Sequence, residues 1–122
     1  MKKNLTSFLF LPFLIITSCD KDKEIRRLLN SNTPTSRIEG AWKAGESGNK
    51  EYIPLLLHNA GDPSVSTSLR WKGYSVYTET MFALERICHV KPPHFYKDIL
   101  VSPDSINIKF YVTLWQNMNK GK

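Results

Sequence analysis

The sequence predicts an all-α fold, a short α-solenoid of about three helix pairs in which the last pair is degenerate. Apolar residues recur at i, i+3 and i+4, the spacing of one helix face, at two places in the chain. These two sets are Ile25, Leu28, Leu29 and Ile53, Leu56, Leu57. Their constant offset of 28 residues is typical of a structural repeat. The composition agrees, because 122 residues with 41% apolar and 23% charged side chains suit one small globular domain and exclude a disordered chain.

The first eighteen residues are predicted to form a secretory signal peptide. A short basic head is followed by a mainly apolar run over residues 5–16. This run is too short to span a bilayer, which needs roughly 20 residues. The alternative is a buried N-terminal helix, and Pro12 in the middle of the run argues against it.

At the end of this segment an aliphatic residue and two small residues precede a cysteine, in the order Ile16, Thr17, Ser18, Cys19. This sequence resembles the lipobox of bacterial lipoproteins. The resemblance implies that Cys19 becomes the first residue, carries diacylglyceryl and palmitate chains, and makes membrane lipid a partner. It also implies a lipid-anchored protein of the bacterial cell envelope, facing the periplasm or the cell surface. Residues 19–24 would then be an anchored linker, and Cys88 would lack a disulfide partner and pack as a small apolar residue.

Each repeated apolar set is expected to be the first helix of a pair. Turn signals follow at residues 32–36 and 61–64, and second helices are predicted from about Thr35 to Glu46 and from about Ser75 to His89. Gly48 is expected to close the first of these helices. We expect Trp42 to lie between helices of the first two units.

The third pair has an ambiguous sequence. A helix face is present at residues 95–100, and Ser102 with Pro103 predicts the cap and first position of a last helix. Residues 106–114 alternate between apolar and polar side chains, as in a strand, but residues 108–115 also contain a helix face. We predict a helix, because a lone strand would have nothing to pair with.

The junction between the first two units has a helix ending Gly45-Glu46-Ser47-Gly48, a short turn, and then Ile53-Pro54-Leu55-Leu56. This pattern resembles the junction of HEAT-like repeats, with the closest similarity to the bilin-lyase-type HEAT family. It implies that residues 25–122 form one HEAT-like helical repeat domain. Bilin lyase activity is not implied, because only the repeat type is shared.

No catalytic or metal site is expected. The histidines His58, His89 and His94 match no zinc or iron ligand spacing, and no nucleophile motif is present. We therefore expect no enzymatic activity and no cofactor. The net charge of +6 is spread along the chain rather than clustered, so no nucleic-acid partner is predicted.

The second unit carries about twelve extra residues between its helices. Ala44 of the first unit corresponds to Leu84 of the second at an offset of 40 rather than 28, which places an insert at roughly residues 65–75. Insertions in repeat proteins form loops on one face, often the binding face. The candidate binding residues are Arg70, Trp71, Lys72, Tyr74 and Tyr77. Two interpretations stay open: these aromatic residues contact a sugar or protein partner, or Trp71 and Tyr74 fold back to cover the core.

Two functional hypotheses fit these features. The first is a lipid-anchored binding or adaptor module of the cell envelope that presents a protein- or glycan-binding surface. The second is an envelope immunity or inhibitor protein that neutralises a toxin.

Overall fold

The computed structural model describes residues 19–71, 73–94 and 102–120, and these ranges are mainly helical. The helices are α1 over residues 19–29, α2 Pro34–Ser47, α3 Ile53–His58, α4 Val76–Cys88 and α5 Ser105–Asn119. Within the described ranges no strand is present, only an isolated bridge between Val65 and Ser75. The predicted all-α class is therefore confirmed. The expected signal peptide and the helix face at residues 95–100 lie outside the described residues.

Helices α1 and α2 form an antiparallel pair at very close range. A Cβ atom on Gly40 of α2 would lie 2.9 Å from the Leu28 Cβ of α1, so only glycine fits there. Nearer the start of α1, Glu24 accepts a hydrogen bond from the Lys43 Nζ at 2.8 Å. The earlier residue of α1, Glu24, contacts the later residue of α2, Lys43, whereas the later Leu28 contacts the earlier Gly40. The two helices therefore run in opposite directions.

The second pair, α3 and α4, packs beside the first with equivalent helices side by side. Ile38 of α2 shares a buried cluster with Val76 of α4, and a Cβ on Gly45 would lie 3.0 Å from the Ala83 Cα. From the first contact to the second, the chain moves toward the C-terminus by the same number of residues in each helix, so α2 and α4 run in the same direction.

The first helices of the two pairs are related in the same way. The Tyr52 hydroxyl donates to Asp22 Oδ1 at 2.7 Å, and the Asn59 side chain donates to the Leu29 carbonyl at 2.8 Å. These two contacts make α1 and α3 parallel. The repeated apolar residues are all buried except the half-buried Leu57, and all but Leu28 belong to one core cluster or pack against it.

The helix ends follow local sequence signals. Gly48 stops α2 in the left-handed conformation at φ 68°, and Pro54 occupies the first turn of α3. The Ser75 side chain caps α4 by accepting from the Thr78 N–H at 3.0 Å. The predicted extents of α2 and α4 are thus correct to within about one residue at each end.

The last helix confirms the helical prediction for residues 106–115 but corrects its cap. Asp104, rather than Ser102, accepts from the backbone N–H of Ile106 at 2.8 Å and of Asn107 at 3.3 Å. The helix therefore begins at Ser105, and Pro103 precedes it.

A buried amide ties α5 to the rest of the domain. The Asn107 side chain donates to the Tyr77 hydroxyl and to the His94 carbonyl, each at 3.0 Å, and accepts from the His94 N–H at 2.8 Å. One turn later, Tyr111 is 1% exposed and donates to the Val90 carbonyl at 2.8 Å. These contacts hold the segment after α4 against α5.

Residues 19–24 differ from the linker that was expected. They are helical and continuous with the rest of α1. The contacts of Asp22 with Tyr52 and of Glu24 with Lys43 hold this part of the helix on the domain. The helical domain therefore includes the residues directly after Cys19.

Candidate functional site

The predicted insert is a closed loop at the surface of the domain. Its two ends meet where the Val76 N–H donates to the Ser64 carbonyl at 2.9 Å and where Val65 and Ser75 form a bridge. A compact loop of this length with adjoining ends is an Ω-loop. The bridge coincides with the predicted bounds, and we call residues 65–75 the insert loop.

Serine side chains determine the path of the insert loop. The Ser66 hydroxyl lies 2.8 Å from the Thr35 hydroxyl at the start of α2 and accepts from the Ser68 N–H at 3.0 Å. A short 3-10 turn, Leu69–Trp71, follows. Gly73 then takes φ 83°, a value that side chains disfavour, as the chain returns to α4. The loop is therefore shaped by its own hydrogen bonds and attached to α2.

Trp71 attaches the middle of the loop to the domain. Its side chain is 7% exposed and forms a buried cluster with Ile38 and Val76. The ring meets Trp42 of α2 edge to face, with 6.3 Å between the ring centroids. This placement matches the interpretation in which Trp71 folds back over the core. Trp42 is half-buried against the loop and the buried cluster.

Arg70 and Leu69 occupy the outer side of this cluster. The Arg70 guanidinium lies over both indole rings, 5.6 Å from the Trp42 centroid and 5.1 Å from the Trp71 centroid. Such cation–π contacts orient a guanidinium while leaving N–H donors available at its edges. Leu69 is 91% exposed. Sequence analysis did not include Leu69 among the candidate binding residues, because its single aliphatic side chain gives no distinct signal beside Val65, Trp71 and Tyr74.

The remaining predicted binding residues are divided between core and surface. Tyr77 is 2% exposed and accepts the hydrogen bond from Asn107, so it belongs to the core. Tyr74 is half-buried, with its ring edge to face with Phe82 at 5.9 Å. Lys72 lies outside the described residues. The surface formed by Leu69 and Arg70 is called the loop patch below.

Cys19 lies at the other end of the domain. It is exposed and borders a groove of about 710 Å³, whose lining includes Ile25 and Tyr52. The groove also touches Ser47 at the end of α2, whereas the insert loop is attached to Thr35 at its start. These two ends of α2 are about 18 Å apart along the helix.

Beside Cys19, the groove contains a network of hydrogen-bonded charged side chains. Burial and the hydrogen bond to Asp22 raise the pKa of Tyr52 to about 12. The same hydrogen bond, together with Arg26, holds the pKa of Asp22 below its usual value. This network therefore stays in one charge state at neutral pH.

The histidines take structural positions. His58 ends α3, His89 follows α4 in the left-handed conformation, and the His94 Nδ1 lies 3.0 Å from Asp104 Oδ2. Among the described residues, no group of three or more His, Cys, Asp and Glu side chains could hold a metal ion.

One buried carboxyl group was not recognised from the sequence. Glu79 on α4 is 2% exposed, and its Oε1 has no hydrogen-bond partner among the described residues. The Arg86 Nη1 lies 3.7 Å away, too far for a good hydrogen bond, so desolvation dominates and raises the pKa of Glu79 to about 7.

Comparisons with protein-family models, curated proteins and solved structures found no match to this chain. In the part of the chain that the structure describes, no helix is long and apolar enough to cross a membrane.

Proposed function

We propose that this chain is a lipid-anchored adaptor of the bacterial cell envelope, built on a short HEAT-like solenoid that presents the loop patch to a protein. The repeat interpretation is supported by the two antiparallel pairs, whose equivalent helices run side by side in the same direction. That relation is expected of consecutive units in a helical repeat protein.

The observation that carries the adaptor function is the insert loop. Its serine hydrogen bonds and the buried Trp71 hold an ordered surface that includes a 91% exposed leucine. An ordered loop loses little conformational entropy on binding, which favours its use in recognition.

A protein partner fits the loop patch better than a glycan. Sugar binding by stacking needs an open aromatic face. Trp71 and Tyr77 are buried, and Arg70 covers the Trp42 ring. The loop therefore offers an apolar residue and a cation, which are common elements of protein interfaces.

Metabolic labelling with a palmitate analogue tests the anchor. We expect label in the wild type and in Cys88→Ala, the matched cysteine control, and none in Cys19→Ala. Equal label in Cys19→Ala and wild type, or no label in any of them, would refute lipid anchoring at Cys19.

Site-specific photo-crosslinking in cells tests the binding surface. A crosslinker at Leu69 should give a discrete protein adduct, whereas one at Ile106, which is 51% exposed on α5, should not. No adduct at either position, or the same adducts at both, would contradict binding through the insert loop. A crosslinked toxin would indicate the inhibitor form of this function rather than an adaptor.

A further inference from the structure

Arg70 differs from Arg26, Arg37 and Arg86 in its partners. Arg26 pairs with Asp22, Arg37 with Asp62 at 2.9 Å, and Arg86 lies 3.7 Å from Glu79. Within residues 19–71, 73–94 and 102–120, Arg70 forms no ion pair. Its charge is nevertheless held in place by two indole rings. An oriented guanidinium without an acidic partner is suited to bind one from another molecule.

Leu69 adds an apolar contact directly beside this cation. The two residues are consecutive in the short 3-10 turn Leu69–Trp71, which is held by the Trp71 N–H donating to the Ser68 carbonyl at 3.2 Å. Because Trp71 is buried, the turn cannot move without opening the cluster beneath it. The leucine and the guanidinium are therefore presented at a defined spacing.

We propose that Leu69 and Arg70 dock a protein whose surface carries a carboxylate next to an apolar pocket. The carboxylate accepts hydrogen bonds from Arg70, and the pocket receives the Leu69 side chain. Charge complementarity identifies the carboxylate, because a planar guanidinium matches its two oxygens in a bidentate pair. This inference rests on the proposed adaptor function and names the chemistry of its partner.

The position of the loop favours a protein over the membrane surface. A chain anchored through Cys19 is held at the end of α2 that carries Ser47. The insert loop is attached at the opposite end, through Thr35. The insert loop is therefore attached at the end of α2 farther from the point of anchoring.

A display selection tests the partner chemistry without knowledge of the natural partner. The protein, purified in mild detergent, is used to select helical miniproteins from a library with one randomised face. We expect the enriched sequences to share an Asp or Glu beside small and apolar residues. The best miniprotein, used as the probe, should bind Arg70→Lys about tenfold or more weakly, because lysine keeps the charge but loses the bidentate geometry. Leu69→Ser should weaken binding similarly.

Matched variants and vesicles provide the controls. Arg27→Lys, at an exposed position on α1, and Ile106→Ser should bind the probe like the wild type. Enrichment without an acidic consensus, or equal affinity of Arg70→Lys and wild type, would overturn the proposal. Binding to phosphatidylglycerol vesicles by both the wild type and Arg70→Lys would also overturn the proposal, because diffuse attraction to an anionic membrane needs only the charge.

The selection and the tests of the adaptor function can fail separately. Absence of palmitate label from the wild type would refute lipid anchoring but would not affect the acidic consensus expected among the selected miniproteins. A selection without acidic consensus would reject the carboxylate while leaving anchoring and crosslinking intact.

Discussion

Replacing Trp71 with alanine is expected to lower the free energy of unfolding by about 3–5 kcal/mol. The side chain is only 7% exposed and joins Ile38 and Val76 in a cluster that attaches the insert loop to α2 and α4. Removing it also removes the edge-to-face partner of Trp42. The loop would then be held mainly by its bridge and by the serine hydrogen bonds.

The magnitude follows from the buried area of the indole. A buried tryptophan removes about 150–250 Å² from water, worth about 4–6 kcal/mol at roughly 25 cal/mol per Å². The unfolded chain already buries some of this surface, which reduces the value by about 10–40%. The area argument therefore gives about 2–5 kcal/mol, which agrees with the usual range of about 3–5 kcal/mol for large-to-small replacement of a buried aromatic residue.

Urea unfolding, followed by far-UV circular dichroism of the protein in mild detergent, measures this change. Leu69→Ala is the matched control in the same turn, and it should stay within about 0.5 kcal/mol of the wild type because the side chain is 91% exposed. A loss below about 1 kcal/mol for Trp71→Ala, with an unchanged Leu69→Ala, would refute the structural role of Trp71 in the insert loop.

Three further predictions concern the helix contacts. Gly40→Ala should lower the free energy of unfolding by about 1–3 kcal/mol despite the better helix propensity of alanine, because the new Cβ would lie 2.9 Å from a side-chain atom of α1. The control Gly61→Ala has open space around it and should not lower stability. Equal urea midpoints for the two variants would contradict this prediction. Burial raises the pKa of Glu79 from 4.5 to about 7. Between pH 4.5 and pH 7 the native state therefore keeps a proton that the unfolded chain has released. The contribution of Glu79 to stability is then greatest below about pH 4.5 and falls by up to about 3 kcal/mol as the pH rises to 7. Glu79→Gln should abolish this contribution, and an unchanged pH slope in the variant would count against it. Asn107→Ala should lower the free energy of unfolding by about 2 kcal/mol or more, because the buried groups bonded to the Asn107 side chain lose their partner. Asn117→Ala, at an exposed position of the same helix, should leave urea unfolding unchanged. Similar losses in both variants would disprove the role of the Asn107 hydrogen bonds.

Local signals predicted much of the helical framework. The 28-residue offset identified apolar residues that do face a common core, and Gly48 stops α2 because glycine adopts a positive φ at little cost. The insert at residues 65–75 was also predicted, from the difference in spacing between the two units, and a bridge closes it at those bounds. These features depend on neighbours in sequence or on repetition, both of which can be recognised in a single chain.

Other features depended on contacts between residues distant in sequence. Residues 106–115 suit a helix or a strand locally, and the packing of α5 on α3 and α4 selects the helix. Ser102 and Asp104 can each cap a helix, but Asp104 also pairs with His94 from the preceding segment. That second contact is absent from the local pattern, so the sequence alone favoured the wrong cap.

The candidate site shows the same division. Sequence alone identified the insert loop and its tryptophan between two cations, Arg70 and Lys72, but it left open whether Trp71 is exposed or buried. The tertiary structure decided this, because Ile38 and Val76, which lie 38 residues apart in the chain, come together to form the cluster that Trp71 joins. Burial of Trp71 in turn leaves Leu69 and Arg70 on the surface, since consecutive residues of a tight turn cannot all face the same core. Which residues a loop presents is thus determined by the surface on which it packs, and that surface exists only after the helices have assembled.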